Sequence, residues 1–226
     1  MKRLLLAGAA ALTLSIGAAS CGSVDPDAAV VNGTHTSVRD LEQTLTLLRK
    51  AGVTDLGSAN GTLNADAVRV VLSNVIAVNV FRDEFTKRGL QVGAGGAQDA
   101  STLSPRIFAV QDVTLWAKLP QDVRDKWDKA SAEYITVSQQ LSPSDAEVSA
   151  FYDANKDKVG DQTLDQVRAQ IVSYLQGQAA SKLLVTASVK VNPRYGVWDA
   201  TKGSVEPLGS SSTTVAPDAG TTTTTQ

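Results

Sequence analysis

Apolar residues recur at three- and four-residue steps through most of this chain, a spacing that predicts amphipathic helices. The first helix is predicted to begin after Ser37 and to end at Gly52. Ser37 and Asp40, three residues apart, resemble a capping pair. The second runs from about Asn64 to Arg88 and is rich in apolar positions. We therefore expect this second helix to be the central helix of the core.

The middle of the chain is predicted to form two more helices. Glycines between residues 93 and 96 interrupt the apolar pattern, and Ser104 with Pro105 then suits the start of a helix that continues to Trp116. Another helix is predicted to start at Pro120 and to end where the polar and proline residues at 142–144 begin.

Two capping boxes indicate where the next helices start. In each box a hydroxyl residue is followed, three positions later, by a side chain that can reach back to the first backbone N–H. The pairs are Ser144 with Glu147 and Thr163 with Gln166. We expect a short helix after Ser144 and a longer one from Thr163 through Leu183.

A turn signal near one end of the chain and a change from helical spacing to alternation near the other indicate the strands. Residues 28–31 form a predicted strand, Asn32-Gly33 is typical of a hairpin turn, and residues 34–36 return antiparallel. Residues 185–191 alternate near the other end of the chain, and Asn192-Pro193 closes that strand. Because a strand with one apolar face needs a partner, we expect these regions to pair and to join the two ends of the domain. The predicted fold class is mainly α, a helical bundle with a small antiparallel sheet.

The first 20 residues have the pattern of a secretory signal. Lys2 and Arg3 supply positive charge, residues 4–19 form an apolar span too short for a stable membrane crossing, and small residues lead to Cys21. This pattern resembles a bacterial lipobox, whose cysteine receives a diacylglycerol, although Ala18 stands where leucine is usual. The prediction is an anchor at Cys21 on the extracytoplasmic face of the cell membrane. The alternative is a plain secretory signal that leaves Cys21 as a free thiol.

The composition divides the 226 residues into four parts. Residues 1–20 form the signal, 21–27 a polar tether, 28–200 one folded domain, and 201–226 a disordered tail rich in Ser and Thr. The formal net charge is −2 and no basic patch is evident, so nucleic acid is not an expected partner. With one cysteine, the domain has to be stabilised by apolar packing and not by disulfides.

The order of these elements resembles the N-terminal and C-terminal parts of the SurA and PrsA family of extracytoplasmic chaperones. Four segments carry the resemblance: AAVVNGTHTSVRDLEQTL at 28–45, FTKRGLQV at 85–92, SPSDAEVSAFY at 142–152 and VKVNPRYGVW at 189–198. The resemblance implies a helical fold like the SurA N-terminal domain over residues 28–200. It also implies a chaperone, or holdase, that binds unfolded or partly folded secreted proteins.

Members of this family often contain a parvulin prolyl-isomerase domain before the last helix. In this chain fewer than 20 residues separate the two capping boxes, too few for an independent fold. The paired active-site histidines of parvulins are also missing, because the chain has one histidine. We expect no prolyl-isomerase activity.

No residue pattern predicts an enzyme, a cofactor or a metal site. His35 adjoins a hairpin turn and no GxSxG motif is present, so we interpret it as a solvated turn residue and not as a catalytic base. Zinc needs several nitrogen or sulfur ligands, which one histidine and an anchored cysteine do not supply. The aspartates at 153, 157 and 161 lack the spacing of a calcium-binding EF-hand.

A holdase needs exposed apolar and aromatic area, because burial of such area tolerates many client sequences. The candidate peptide-binding residues are the aromatic side chains of the two middle helices, Phe108, Trp116, Trp127 and Tyr134. The alternative is that these rings form ordinary core. A different function for the same scaffold is a cell-envelope interaction module with one dedicated protein partner.

Overall fold

Helices make up most of the chain that the computed structural model describes, which is residues 26–57 and 62–209. The predicted signal, the predicted anchor at Cys21 and residues 210–226 of the predicted tail lie outside the described residues. A short 3₁₀ turn follows the first helix at Thr54–Leu56. The other elements, in chain order, are β1 (Asp27–Val31), β2 (Thr34–Ser37), α1 (Val38–Ala51), α2 (Ala65–Lys87), α3 (Ala94–Ile107), α4 (Val113–Trp116), α5 (Gln121–Gln140), α6 (Asp145–Ala154), α7 (Lys156–Val159), α8 (Leu164–Thr186), β3 (Val189–Val191), β4 (Val197–Asp199) and β5 (Ser204–Glu206).

Capping residues place several helix ends where the sequence predicts them. The side chain of Ser37 accepts the backbone N–H of Asp40 at 3.0 Å and starts α1, and Gly52 ends that helix in the left-handed conformation. Asn64 caps α2 in the same way through the N–H groups of its first turn. The reciprocal capping boxes of α6 and α8 are both present. The predicted caps are thus confirmed. They are predictable because a cap is formed by residues that are close in sequence.

The prediction that a helix starts at Ser104 and Pro105 is wrong. α3 runs through Gly95 and Gly96 and ends two residues after Pro105. Gly96 permits this arrangement because a Cβ at that position would lie 2.9 Å from the Oγ1 of Thr136 on α5. Gly95 and Gly96, which predict a break, therefore lie inside a helix, and Gly96 allows α3 to pack closely on α5.

The two ends of the domain meet in one antiparallel sheet, in which β1 lies between β2 and β3. Val30 pairs with His35 on one side and with Lys190 on the other. The predicted pairing is confirmed. The C-terminal strand is shorter than the predicted 185–191, because α8 continues to Thr186 before the backbone extends.

A second antiparallel pair, β4 with β5, follows the first sheet. Val205 in β5 is 5% exposed, and its backbone N–H donates to the side chain of Ser73 on α2 at 2.8 Å. The described fold thus extends past residue 200, where the sequence places the start of the tail.

Buried apolar side chains form two clusters among the described residues. The larger cluster includes residues from β1, α1, α2, α3, α5 and β5, and the second half of α8 packs against it. The smaller cluster consists of Val148, Val167 and Ile171, between α6 and the first half of α8. We call residues 145–175 the arm, because they pack around this smaller cluster.

Tyr195 ties the C-terminal segment to α1. Its hydroxyl donates to Glu42 Oε1 at 3.1 Å, and the residue is 8% exposed. Burial, followed by the negative charge of Glu42, raises the pKa of Tyr195 to about 12. An unfolded tyrosine has a pKa of about 10. The un-ionised Tyr195 hydroxyl therefore stabilises the folded state below pH 10. This contribution to the free energy of unfolding is lost as the pH rises through 12.

We expect Tyr195→Phe to remove this part of the alkaline sensitivity. Between pH 10 and 12, the free energy of unfolding of the wild type should fall by about 2 kcal/mol more than that of the variant. Urea unfolding at several pH values measures both. Parallel losses in the two proteins would contradict the assignment to Tyr195.

Candidate binding groove

Three of the four aromatic residues predicted to bind clients lie in the core. Phe108 is fully buried, and Trp116 and Trp127 are 5% and 8% exposed. The Phe108 ring centroid lies 5.6 Å from that of Trp116 and 4.8 Å from that of Trp127. Tyr134 is half-buried and stacks on Phe81 at 4.4 Å. A binding role for Phe108, Trp116 or Trp127 would require the core to open.

An open groove lies where the arm meets the main core. Its volume is about 830 Å³, and its walls come from the end of α2, the end of α5, the loop that follows α5, and helices α6 and α8. Its apolar surface is formed by Leu141, Pro143, Ala150, Phe151, Leu175 and Ala179. We call this feature the binding groove.

Helical spacing places the groove residues on shared faces. On α8, Leu175, Ala179 and Lys182 follow one another at steps of four and three and therefore lie on one face. Ala150 and Phe151 on α6 form the facing wall. α5 ends at Gln140, and a short segment that contains Pro143 connects it to α6.

Polar side chains line the rest of the binding groove. Arg88 donates from Nε to Glu84 Oε1 at 2.6 Å. Glu147 Oε2 accepts the backbone N–H and the hydroxyl of Ser144, both at 2.7 Å, and these bonds lower the pKa of the Glu147 carboxyl. Lys182 lines the groove without an ion-pair partner among the described residues. It is therefore the cation of the groove that is available to a ligand.

A second depression of about 310 Å³ is also bordered by α8. It is lined by Phe81, Tyr134 and Gly177, among others, and Leu141 lines both depressions. Tyr134 is thus the one predicted aromatic residue that borders an open space near the binding groove. The apolar residues of α6 and α8 that line the binding groove were not predicted to bind a ligand, because their helical spacing is the same as that of core residues.

His35 lies on the exposed hairpin, where its Nδ1 is 2.9 Å from Asp27 Oδ2. Its side chain is 64% exposed, which agrees with the interpretation of a solvated turn residue. In the described ranges, no group of three or more histidine, cysteine or acidic residues is placed to bind a metal ion. No helix within the described part of the chain is both long and apolar enough to cross a membrane.

Comparison with protein-family models, with curated proteins and with solved structures finds no match to this chain. The resemblance to the SurA and PrsA family therefore rests on the four short segments and on the order of the elements.

Proposed function

We propose that this protein is a lipid-anchored chaperone of the extracytoplasmic face, which holds unfolded or partly folded polypeptides and does not isomerise prolyl bonds. The binding groove is the observation that supports the proposal most. It offers apolar area that is open to solvent, with a polar border. Burial of apolar area has no strict directional requirement, so such a surface accepts many sequences. The anchor and the location rest on the pattern that ends at Cys21.

The size of the groove fits a short piece of chain. Sites of about 300–1,000 Å³ enclose ligands the size of a drug molecule. The binding groove, at about 830 Å³, falls in this range and suits a few residues of an unfolded polypeptide. A folded domain would contact only its rim.

The chemistry of the groove predicts weak and reversible binding. Burial of one aliphatic or aromatic client side chain contributes about 1.5–3 kcal/mol. Ordering the client segment and its side chains costs a comparable amount. Two client side chains against Phe151 and Leu175 would therefore give a short-lived complex. Fast release suits a protein that protects a client and then allows it to fold.

We expect Ala150→Arg to weaken this activity. Ala150 is exposed on α6 and lines the groove, so a long charged side chain there would occupy apolar space at little cost to the fold. The amount of protein needed to suppress aggregation of a diluted, denatured client should rise by about fivefold, the equivalent of about 1 kcal/mol of lost binding. Light scattering measures the suppression.

Ala146→Arg is the matched control, because Ala146 is an exposed alanine of the same helix that does not line the groove. This variant should suppress aggregation like the wild type. Equal activity of both variants would place client binding elsewhere. Failure of the wild type to protect any of several clients would contradict the proposed function.

The closed packing of Phe108, Trp116 and Trp127 favours a second candidate function. A scaffold with buried aromatics could serve as an envelope module with one dedicated protein partner. Crosslinking in intact cells, followed by capture through a tag, separates the two functions. A chaperone would return many unrelated polypeptides, whereas a dedicated module would return one partner at a constant ratio.

A further inference from the structure

One cation of the binding groove has no ion-pair partner among the described residues. Lys182 and Arg88 are the cations among its lining residues, and Glu147 is the one carboxylate among those that the structure describes. Arg88 is paired with Glu84, and Glu147 keeps its negative charge but is held at the start of α6 by its bonds to Ser144. Lys182 on α8 is therefore the cation that can pair with a bound segment. A negative group on that segment would complement it, whereas a positive group would be repelled.

The position of Lys182 also defines a spacing. It lies seven residues after Leu175 on the same face of α8, which is about 10 Å along the helix axis. A chain in the polyproline II conformation, which unfolded chains commonly adopt, rises about 3.1 Å per residue and brings every third side chain to the same face. In such a segment, a side chain that contacts Leu175 is followed, three residues away, by a side chain on the same face next to Lys182.

We infer that the binding groove prefers segments in the polyproline II conformation in which an acidic side chain, Asp or Glu, lies three residues from an apolar one. This inference rests on the proposed function and names the class of client segment. The apolar side chain packs against Leu175 and Phe151, and the client carboxylate pairs with the Lys182 ammonium. Apolar contact supplies most of the binding, and the ion pair selects among segments.

Binding of short, fluorescently labelled peptides to the full-length mature protein tests this inference. The peptides share one leucine and differ only at the position three residues away, which is Glu, Gln or Lys; a second set places that residue on the other side of the leucine. At low salt, the Glu peptide of at least one set should bind about three- to fivefold more tightly than its Gln counterpart. The Lys peptide should bind more weakly than both. About 1 M salt should remove the differences, since it screens an exposed pair.

Two variants locate the preference. Lys182→Glu should reverse it, so that the Lys peptide binds more tightly than the Glu peptide. Lys156→Glu changes the net charge equally at an exposed arm position outside the groove, and it should keep the wild-type order. Equal binding of all peptides, or an unchanged order in Lys182→Glu, would overturn the inference and leave the proposed function standing. No binding of any peptide would contradict both.

Discussion

Truncation after Ala187 is expected to unfold the domain, whereas truncation after Gly209 should leave its stability unchanged. The shorter chain lacks β3, the partner of β1, and it also lacks Tyr195 and Val205, which are buried in the main core. The longer chain keeps every described residue. Comparison of the two truncations therefore distinguishes the contribution of the C-terminal strands to stability from that of the Ser- and Thr-rich residues that follow them.

The expected loss of stability follows from the buried side chains and the sheet pairing that the C-terminal segment provides. Each fully buried large side chain contributes about 1.5–3 kcal/mol, and a typical domain is stable by only about 5–15 kcal/mol. Loss of two buried side chains together with one edge of the sheet removes a large part of that margin. The backbone of β1 would also lose the hydrogen-bond partners that β3 provides.

Circular dichroism during thermal unfolding provides the measurement for both truncations. We expect a cooperative transition for the chain that ends at Gly209, at the temperature found for the chain that continues to Gln226. The chain that ends at Ala187 should show no cooperative transition or should be recovered only in aggregates. A sharp transition at the same temperature in the shorter chain would show that the sheet does not hold the ends together.

Phe108→Ala should destabilise the folded state by about 3–5 kcal/mol, because it leaves a cavity between two tryptophans. The Phe108 ring is fully buried and contacts both Trp116 and Trp127. Tyr174→Ala is the control: Tyr174 is 51% exposed, and its ring packs on Phe151 alone among the described aromatic residues. The control should cost no more than about 1.5 kcal/mol.

Urea unfolding measures both losses, and a milder variant connects the result to function. Phe108→Leu keeps the site apolar and should cost about 1–2 kcal/mol, so the protein remains folded. Its suppression of client aggregation should match that of the wild type, since the ring is distant from solvent. If Phe108→Leu stays folded but no longer suppresses aggregation, the buried aromatic residues would have a role in client binding. Similar destabilisation by Phe108→Ala and Tyr174→Ala would contradict the core placement of Phe108.

Local signals predict the elements whose ends depend on nearby residues. The caps at Ser37, Ser144 and Thr163 fall at their predicted positions because a cap is a contact between residues three apart. The sheet was also predictable, because the Asn-Gly turn indicates a hairpin near one end of the chain, alternation indicates a strand near the other, and these strands had no other partner.

The errors arise where packing overrides local preference. Ser104 resembles a helix start, yet it lies inside α3, where its hydroxyl donates to Ala100 O at 2.9 Å and lies 2.9 Å from the hydroxyl of Ser131. β4 and β5 are three residues long, too short for a periodic pattern. Gly196 is the available sequence signal for them, since an added Cβ there would overlap the backbone of Glu206.

The binding groove could not be predicted from residue types. Phe151 and Leu175 occur at the same helical spacing as side chains that are buried, and both are partly buried against the arm's cluster. The groove exists because the arm packs around its own small cluster while the second half of α8 joins the main one. This division depends on the angle between elements, and the helical pattern does not encode that angle.

The meeting of the two chain ends has a consequence for how the protein is made. Asn192 donates from its side chain to the backbone oxygen of Asp27, 165 residues earlier. At about 5–20 residues per second, those 165 residues take about 8–33 s to synthesise, and an exported chain also has to cross the membrane before the sheet can be completed. During that interval one edge of β1 can pair with other chains. The new chain therefore keeps an unpaired strand edge until its own C-terminal strand is in place.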